Sequence, residues 1–189
     1  YSLTVEERTL LNNRIKKKVE PMLCSKLAID QFLQCNEFLT SKGYEHYEVS
    51  NYAKPGNRAK HNSSYWNGSE YIGIGPSAHS YNGHQRHWNV SSNAAYITSL
   101  KKGILPNQEE DMDKTILKNE FLMTRLRTES GIIRKEFLQL AGDKEWRVLT
   151  IASTPFINKG QMILTNNNLK CTTRGWLILD TILADLFFD

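Results

Sequence analysis

Apolar side chains recur at Cys24, Ala28, Phe32, Cys35 and Leu39, a spacing that draws one stripe along a helix. Gly43 follows as a stop signal. Residues 44–49 are rich in Tyr and alternate in polarity, which predicts a strand. Helix, tight Gly turn and strand make the αβ half of a repeating β/α unit. Residues 51–67 hold Pro55, Gly56, four Asn and two Ser, and read as a loop leaving the C-terminal end of that strand. Residues 70–78 predict a short strand ending in a Gly/Pro turn, because Pro76 is confined to a strand end or edge. A short helix is expected over 93–102, closed by Gly103, and the polar, acidic stretch 106–113 reads as a linker.

Beyond 113 the pattern changes. Helical spacing returns over 114–126 and again over 134–140, ending before Gly142. Asp143 is suited to cap a third helix, 144 to about 150. Residues 162–164 and 169–172 form two short apolar runs around Asn166-Asn167-Asn168, the expected turn of a hairpin. A last helix is expected over 173–187. Three helices, a hairpin and a helix make a winged-helix-like module over 111–189. The opening Tyr1-Ser2-Leu3-Thr4 reads as the end of a strand, so upstream sequence is expected to be missing.

Charge narrows the partners. Of the 24 basic and 20 acidic residues, 13 and 10 fall at or before residue 110, and 11 and 10 after it. Neither part carries the positive excess that phosphate binding leaves in a composition, so no nucleic-acid partner is expected, and the winged module is expected to pack on another domain. Lys16-Lys17-Lys18 reads as a solvated helix face. The stretch 176–188 is too short to span a bilayer and is broken by Asp180 and Asp185. The three cysteines are Cys24, Cys35 and Cys171, with no Cys-x-x-Cys. On one helix Cys24 and Cys35 would lie about 16 Å apart, beyond disulfide reach. They read as buried thiols on a core face, in a reducing cytoplasm.

The densest candidate chemistry is His61-Asn62-Ser63-Ser64-Tyr65-Trp66. In a β/α architecture, functional groups gather at the C-terminal ends of strands. A His can ligate iron or carry a proton, and Tyr and Trp can pack on a flat macrocycle. The competing reading is a loop anchored by its own aromatics with a solvated His. Gly73-x-Gly75-x-x-Ala78 is a weak phosphate fingerprint, because Pro76 and Ser77 follow the second Gly and no helix opens there. It reads better as a Gly-rich strand end that another group, a small ligand among the options, approaches closely. His79, His84 and His87 crowd beside Trp88, but their spacing fits neither a helical zinc pair nor a finger. A Ser–His–Asp arrangement stays open, although no Gly-x-Ser-x-Gly elbow is present.

Several of these stretches together resemble the oxygen-independent coproporphyrinogen III oxidase-like radical-SAM family. The run Gly43-Tyr44-Glu45-His46-Tyr47-Glu48-Val49-Ser50-Asn51-Tyr52-Ala53-Lys54-Pro55-Gly56 is similar to a signature of that family. His61-Asn62-x-x-Tyr65-Trp66 and Gly73-Ile74-Gly75-Pro76-Ser77-Ala78-His79-Ser80 resemble motifs of its heme-chaperone branch. Leu126-Arg127-x-x-x-Gly131-Ile132 and Thr172-Thr173-Arg174-Gly175 resemble its C-terminal domain.

The resemblance implies an α+β chain: the last β/α units of a partial (β/α) barrel over 1–110, then the winged-helix-like domain over 111–189. In the full-length parent it implies a [4Fe–4S] cluster and S-adenosylmethionine, with heme or a porphyrin as partner and the N-terminal half of the barrel supplying the cluster. Gly73, Ile74, Gly75 and Ala78 would face S-adenosylmethionine. His61, Asn62, Tyr65 and Trp66 would meet heme, with His61 or His79 as its iron ligand. Within this chain no cofactor is expected, since the cluster cysteines are absent and Cys24, Cys35 and Cys171 cannot converge on one cluster. Val5-Glu6-Glu7-Arg8-Thr9 also departs from the family's Glu-Pro-Gly-Thr. Two alternatives stand beside the heme chaperone: a true oxidase that decarboxylates propionates, and a stand-alone interaction module.

Overall fold

The computed structural model describes residues 4–22 and 24–189. The strand end expected at Tyr1-Ser2-Leu3 lies outside the described residues. The chain divides into two compact units, 1–57 and 58–189. The expected boundary near 110 falls inside the second unit.

The first unit holds helices α1 (Leu10–Lys16) and α2 (Ser25–Ser41) and strands β1 (Glu45–Glu48) and β2 (Asn51–Ala53). Thr9 caps α1 by accepting the Asn12 amide at 3.2 Å. Lys17 ends that helix, and Lys18 has a left-handed φ of 56°. The stripe that predicted α2 is present, and its end follows the expected stop. Gly43, at φ +75°, donates to Thr40 O (2.9 Å), and Tyr44 donates to Leu39 O (3.1 Å). These are the two bonds of a Schellman motif.

The strand after α2 also forms, but it does not lead into a long loop. A two-residue turn at Val49 and Ser50 folds it back onto β2 as an antiparallel hairpin, with Glu45 opposite Ala53 and Glu48 opposite Asn51. His46 lies flat on the Tyr52 ring (4.0 Å, 9°), with Phe32 of α2 at 5.7 Å. Burial, and then Cys35 nearby, push the Tyr52 hydroxyl up to about 12. The thiol expectation is corrected here: Cys24 and Cys35 are exposed, and only Cys171 is buried. No residue of α2 is fully buried; of its stripe, Ala28, Phe32 and Leu39 are half-buried, so the described residues cover that face only in part.

In the second unit, α3 (Lys60–Trp66) and β3 (His79–Tyr81) precede β4 (Gln85–Asn89), α4 (Asn93–Lys101) and β5 (Asn107–Asp111). Strands β3, β4 and β5 form one antiparallel sheet in chain order. Three expectations are overturned here. The stretch 51–67 is not one loop, because it contains β2 and α3. The strand over 70–78 is reduced to a single bridge between Tyr71 and Tyr81. The linker at 106–113 is an edge strand, β5, paired with β4 from Asn89–Asn107 to Gln85–Asp111. All five residues of β5 are exposed, so it has no apolar side to betray it, and pairing with β4, through the backbone and through side-chain bonds such as Trp88 Nε1 to Gln108 Oε1 (2.9 Å), makes it a strand.

The last part contains α5 (Lys114–Arg125), β6 (Ile132–Ile133), α6 (Arg134–Ala141), α7 (Asp143–Ala152) and α8 (Thr154–Asn158). Strands β7 (Met162–Leu164) and β8 (Asn168–Cys171) follow, then α9 (Thr173–Trp176) and α10 (Leu179–Leu186). Asp113 caps α5 through the Ile116 amide at 2.8 Å. Asp143 is the first residue of α7 and not its cap; Gly142 holds that place, and Asp143 pairs with Arg147 at 2.7 Å. The expected hairpin is β7–β8, and β6 joins it in the order β6-β8-β7. The single last helix is split into α9 and α10. Leu122, Leu126, Ile132, Phe137, Leu169 and Ile182 are fully buried and form the core of this part. Phe137 lies 5.9, 5.8 and 6.2 Å from the rings of Phe121, Trp146 and Phe188. Among the described residues, no helix is long and apolar enough to cross a membrane.

Candidate functional site

Helix α3 places the densest sequence motif. It has seven residues, no side-chain cap at Ala59 and no acidic residue in its first turn. Such a helix is marginal in isolation and must be held by its surroundings. Its 3.6-residue turn splits the motif onto two faces. On the outer face, His61 and Tyr65 are both exposed, with ring centroids 5.1 Å apart and a hydrogen bond between His61 Nε2 and Tyr65 Oη at 3.2 Å. On the inner face, one residue further along, Asn62 and Trp66 are half-buried, and Asn62 Nδ2 and Trp66 Nε1 have no acceptor among the described residues. The structure therefore brings His61 and Tyr65 together and turns Asn62 and Trp66 elsewhere.

The outer pair continues into a row of rings. Tyr71 meets Tyr65 edge-on at 5.3 Å, and Tyr81 follows Tyr71 at 6.2 Å. Two bonds between the backbones of Tyr71 and Tyr81, each 2.9 Å, hold the last step. Burial first, and then the Glu120 carboxylate, push the Tyr81 hydroxyl up, against the opposing pull of Arg86. Arg86 of β4 is ion-paired with Glu120 of α5, so the sheet is tied to that helix beside Tyr81.

The Gly-rich stretch runs on from Tyr71. A Cβ on Gly73 would fall 2.0 Å from the backbone oxygen of His79, so only Gly fits there. The close approach expected from sequence is real, and the approaching group is the chain's own backbone. Asn89 fastens the far end of the stretch: its side-chain amide donates to Gly75 O (2.9 Å) and its backbone amide to Ala78 O (3.0 Å). Ile72 and Ile74 are 86 % and 90 % exposed between these anchors. His79 is exposed at the start of β3, its ring 6.2 Å from Trp88. His87 Nδ1 lies 3.6 Å from Glu109 instead. Among the described residues, no three His, Cys, Asp or Glu side chains gather to hold a metal.

Sequence reasoning missed Tyr71, Tyr81 and Arg125. Arg125 donates to the backbone oxygens of Trp66 and Asn67 at the C-terminal end of α3. Nothing local in the sequence signals a contact across some sixty positions, although Tyr71 lay within a stretch already singled out.

The family model of the HemN C-terminal domain matches residues 113–178. The chain is 31 % identical to the heme chaperone HemW of Lactococcus lactis subsp. lactis over 189 residues, which is 100 % of this chain and 50 % of that protein. It is also 31 % identical over 188 residues to the heme chaperone HemW of Escherichia coli K12, covering 97 % of this chain and 47 % of the relative. The chain thus spans about half the length of the curated relatives it matches. In fold it is similar to coproporphyrinogen III oxidase (HemN) from Escherichia coli, described as a radical SAM enzyme. The TM-score is 0.60 at 15 % identity, over 84 % of this chain and 40 % of that one.

Proposed function

We propose, for a chain that belongs to the oxygen-independent coproporphyrinogen III oxidase-like radical-SAM family, that it is the C-terminal portion of a heme-binding protein of the heme-chaperone type. The observation that carries this reading is the outward pair on α3: an exposed imidazole and an exposed phenol side by side, extended by Tyr71. An imidazole is a common axial ligand of heme iron, and flat aromatic side chains pack on porphyrins. A metal-bound His normally gives its other ring nitrogen to an oxygen partner. Tyr65 Oη can accept from His61 Nε2–H, which leaves the Nδ1 lone pair of His61 for iron. Bound heme would supply an iron centre, and this chain's part would be to hold it through His61 and the ring row. His79, exposed beside Trp88, is the competing ligand.

In the same reading, residues 1–110 are the last β/α units of a partial barrel and residues 111–189 a winged-helix-like domain docked on it, in the cytoplasm and without a nucleic-acid partner. The [4Fe–4S] cluster and S-adenosylmethionine belong to an N-terminal half, with Gly73, Ile74, Gly75 and Ala78 on the S-adenosylmethionine side. The cysteines of this chain do not fit a cluster: Cys24 and Cys35 are three turns apart along one helix, and Cys171 is buried. No radical step is assigned to them.

The test is heme titration of the whole protein, followed by the Soret band, for the parent, His61→Ala and His79→Ala. The expected outcome is weaker binding and a shifted band for His61→Ala, with His79→Ala matching the parent. The reverse pattern moves the ligand to His79. A parent with no saturable Soret change rejects the heme reading.

A further inference from the structure

We propose that Arg125 is a positioning residue that straps the heme-contacting helix α3 to the C-terminal helices; its role at the heme site rests on the reading above. Arg125 closes helix α5, and its guanidinium reaches back to the end of α3. It donates to Trp66 O, in the last turn of α3, and to Asn67 O, at the cap residue, the latter at 3.1 Å. The last carbonyls of a helix have no partner within the helix and carry partial negative charge. A fixed guanidinium satisfies both needs, and its planar fork can serve two carbonyls at once.

The guanidinium is itself held from two other directions. Glu136 of α6 lies 3.1 Å away, and the ring of Phe121, one turn earlier on α5, lies 4.9 Å beneath it. The Arg125 side chain is only 16 % exposed, so its position is set by packing and not by solvent. A second strap lies at the other end of the segment, where Arg58, two residues before α3, pairs with Glu129 at 2.8 Å. Glu129 follows α5 in the turn toward β6. Both ends of the α3 segment are therefore fastened to α5 and the turn behind it. Helix α3 has too few residues and too few caps of its own to fix where its faces point. The orientation of the His61–Tyr65 pair is thus decided by residues about sixty positions later in the chain.

The experiment compares the whole protein with Arg125→Met and Arg125→Lys. Two readouts are taken: amide hydrogen exchange over 60–67 and the Soret titration with heme. In Arg125→Met, exchange over 60–67 is expected to quicken by about tenfold or more, while α10 keeps its parental protection. Heme affinity falls severalfold as the His61–Tyr65 pair loses its fixed orientation. The ammonium in Arg125→Lys would keep the charge but serve one carbonyl at a time, so that variant recovers part of each effect. Parental exchange over 60–67 in Arg125→Met overturns the strap, and faster exchange with parental heme binding overturns its role in positioning the site. Should the parent bind no heme, the proposed function fails. Exchange over 60–67 then decides the strap alone, and parental exchange rejects it. If α10 also loses protection in Arg125→Met, the Arg125→Lys variant carries the comparison, and full parental behaviour there rejects the proposal.

Discussion

Single residues in this chain carry consequences that their own neighbourhoods in sequence do not announce. Cys171 sits at the end of β8, buried, and burial pushes its thiol from 9.0 up to about 12. Desolvation favours the neutral thiol, so the folded state holds that proton more tightly than the unfolded chain. The contribution to stability is therefore complete below 9.0 and is lost as pH rises from 9.0 through the folded value. Melting temperature plotted against pH should fall more steeply above 9.0 in the parent than in Cys171→Ala; parallel curves would show that this thiol has no part in the alkaline loss. Thiolate is the nucleophile in alkylation, so Cys24 and Cys35, both exposed, should react with an alkylating agent in the folded chain while Cys171 waits for unfolding. Gly73 belongs to the same scale. The sequence marked a glycine that something must approach, yet the approaching group, the backbone of His79, came from the next turn of its own chain.

At the scale of elements, legibility follows how much each element owes to its own residues. Helix α5 is announced by apolar spacing, and Asp113, read from the sequence only as the end of a linker, caps it by taking the Ile116 amide at 2.8 Å. Asp113→Ala should cost about 1 kcal/mol, seen as a lower urea midpoint with an unchanged slope. A larger loss would mean that Asp113 does more than cap. Helix α3 is the opposite case. Asn62, Ser63 and Ser64 favour turns, Ala59 offers no cap, and Pro55 and Gly56 nearby reinforce the look of a loop. Arg125 and Arg58 fasten its ends from elsewhere in the chain. Strand β5, Asn-Gln-Glu-Glu-Asp, has residues depleted in strands and no buried side, and only pairing with β4 makes it one. Once α3 is a helix, the division of its motif into a His61–Tyr65 face and an Asn62–Trp66 face follows from spacing alone.

The molecule as a whole is uneven in how it is built. Most of the large, fully buried side chains lie beyond residue 113, around Phe137. Phe137 is wholly buried and touches rings from α5, α7 and the C-terminal end. Phe137→Ala should cost about 3–5 kcal/mol, a large share of a typical domain's stability of about 5–15 kcal/mol. Chemical unfolding measures it, and a loss under about 1 kcal/mol would mean that the three rings close the gap. The C-terminal end is also tied directly to α5, where Asn119 both donates to Phe188 O and accepts from Phe188 N, each at 2.8 Å. The same helix carries Glu120, paired with Arg86 of the sheet, and Arg125, bonded to α3. Helix α5 is therefore the element through which the core of the unit reaches the candidate site.

By itself the sequence determined the amphipathic helices α2, α5 and α6, the β7–β8 hairpin, the family resemblance, and the His61–Trp66 motif of the candidate site. Those are matters of periodicity, turn chemistry and motif, which a chain expresses over ten or twenty neighbouring positions. Only the tertiary structure decided that a polar stretch becomes strand β5, that an apparent loop holds α3, and that the Gly73 approach is filled from within. It alone decided that Arg125 sets where His61 and Tyr65 face. The physical reason is common to all four. Each depends on a backbone or charged group meeting a partner supplied from elsewhere in the fold, and spacing along the chain records a residue's own face, not what will be brought against it.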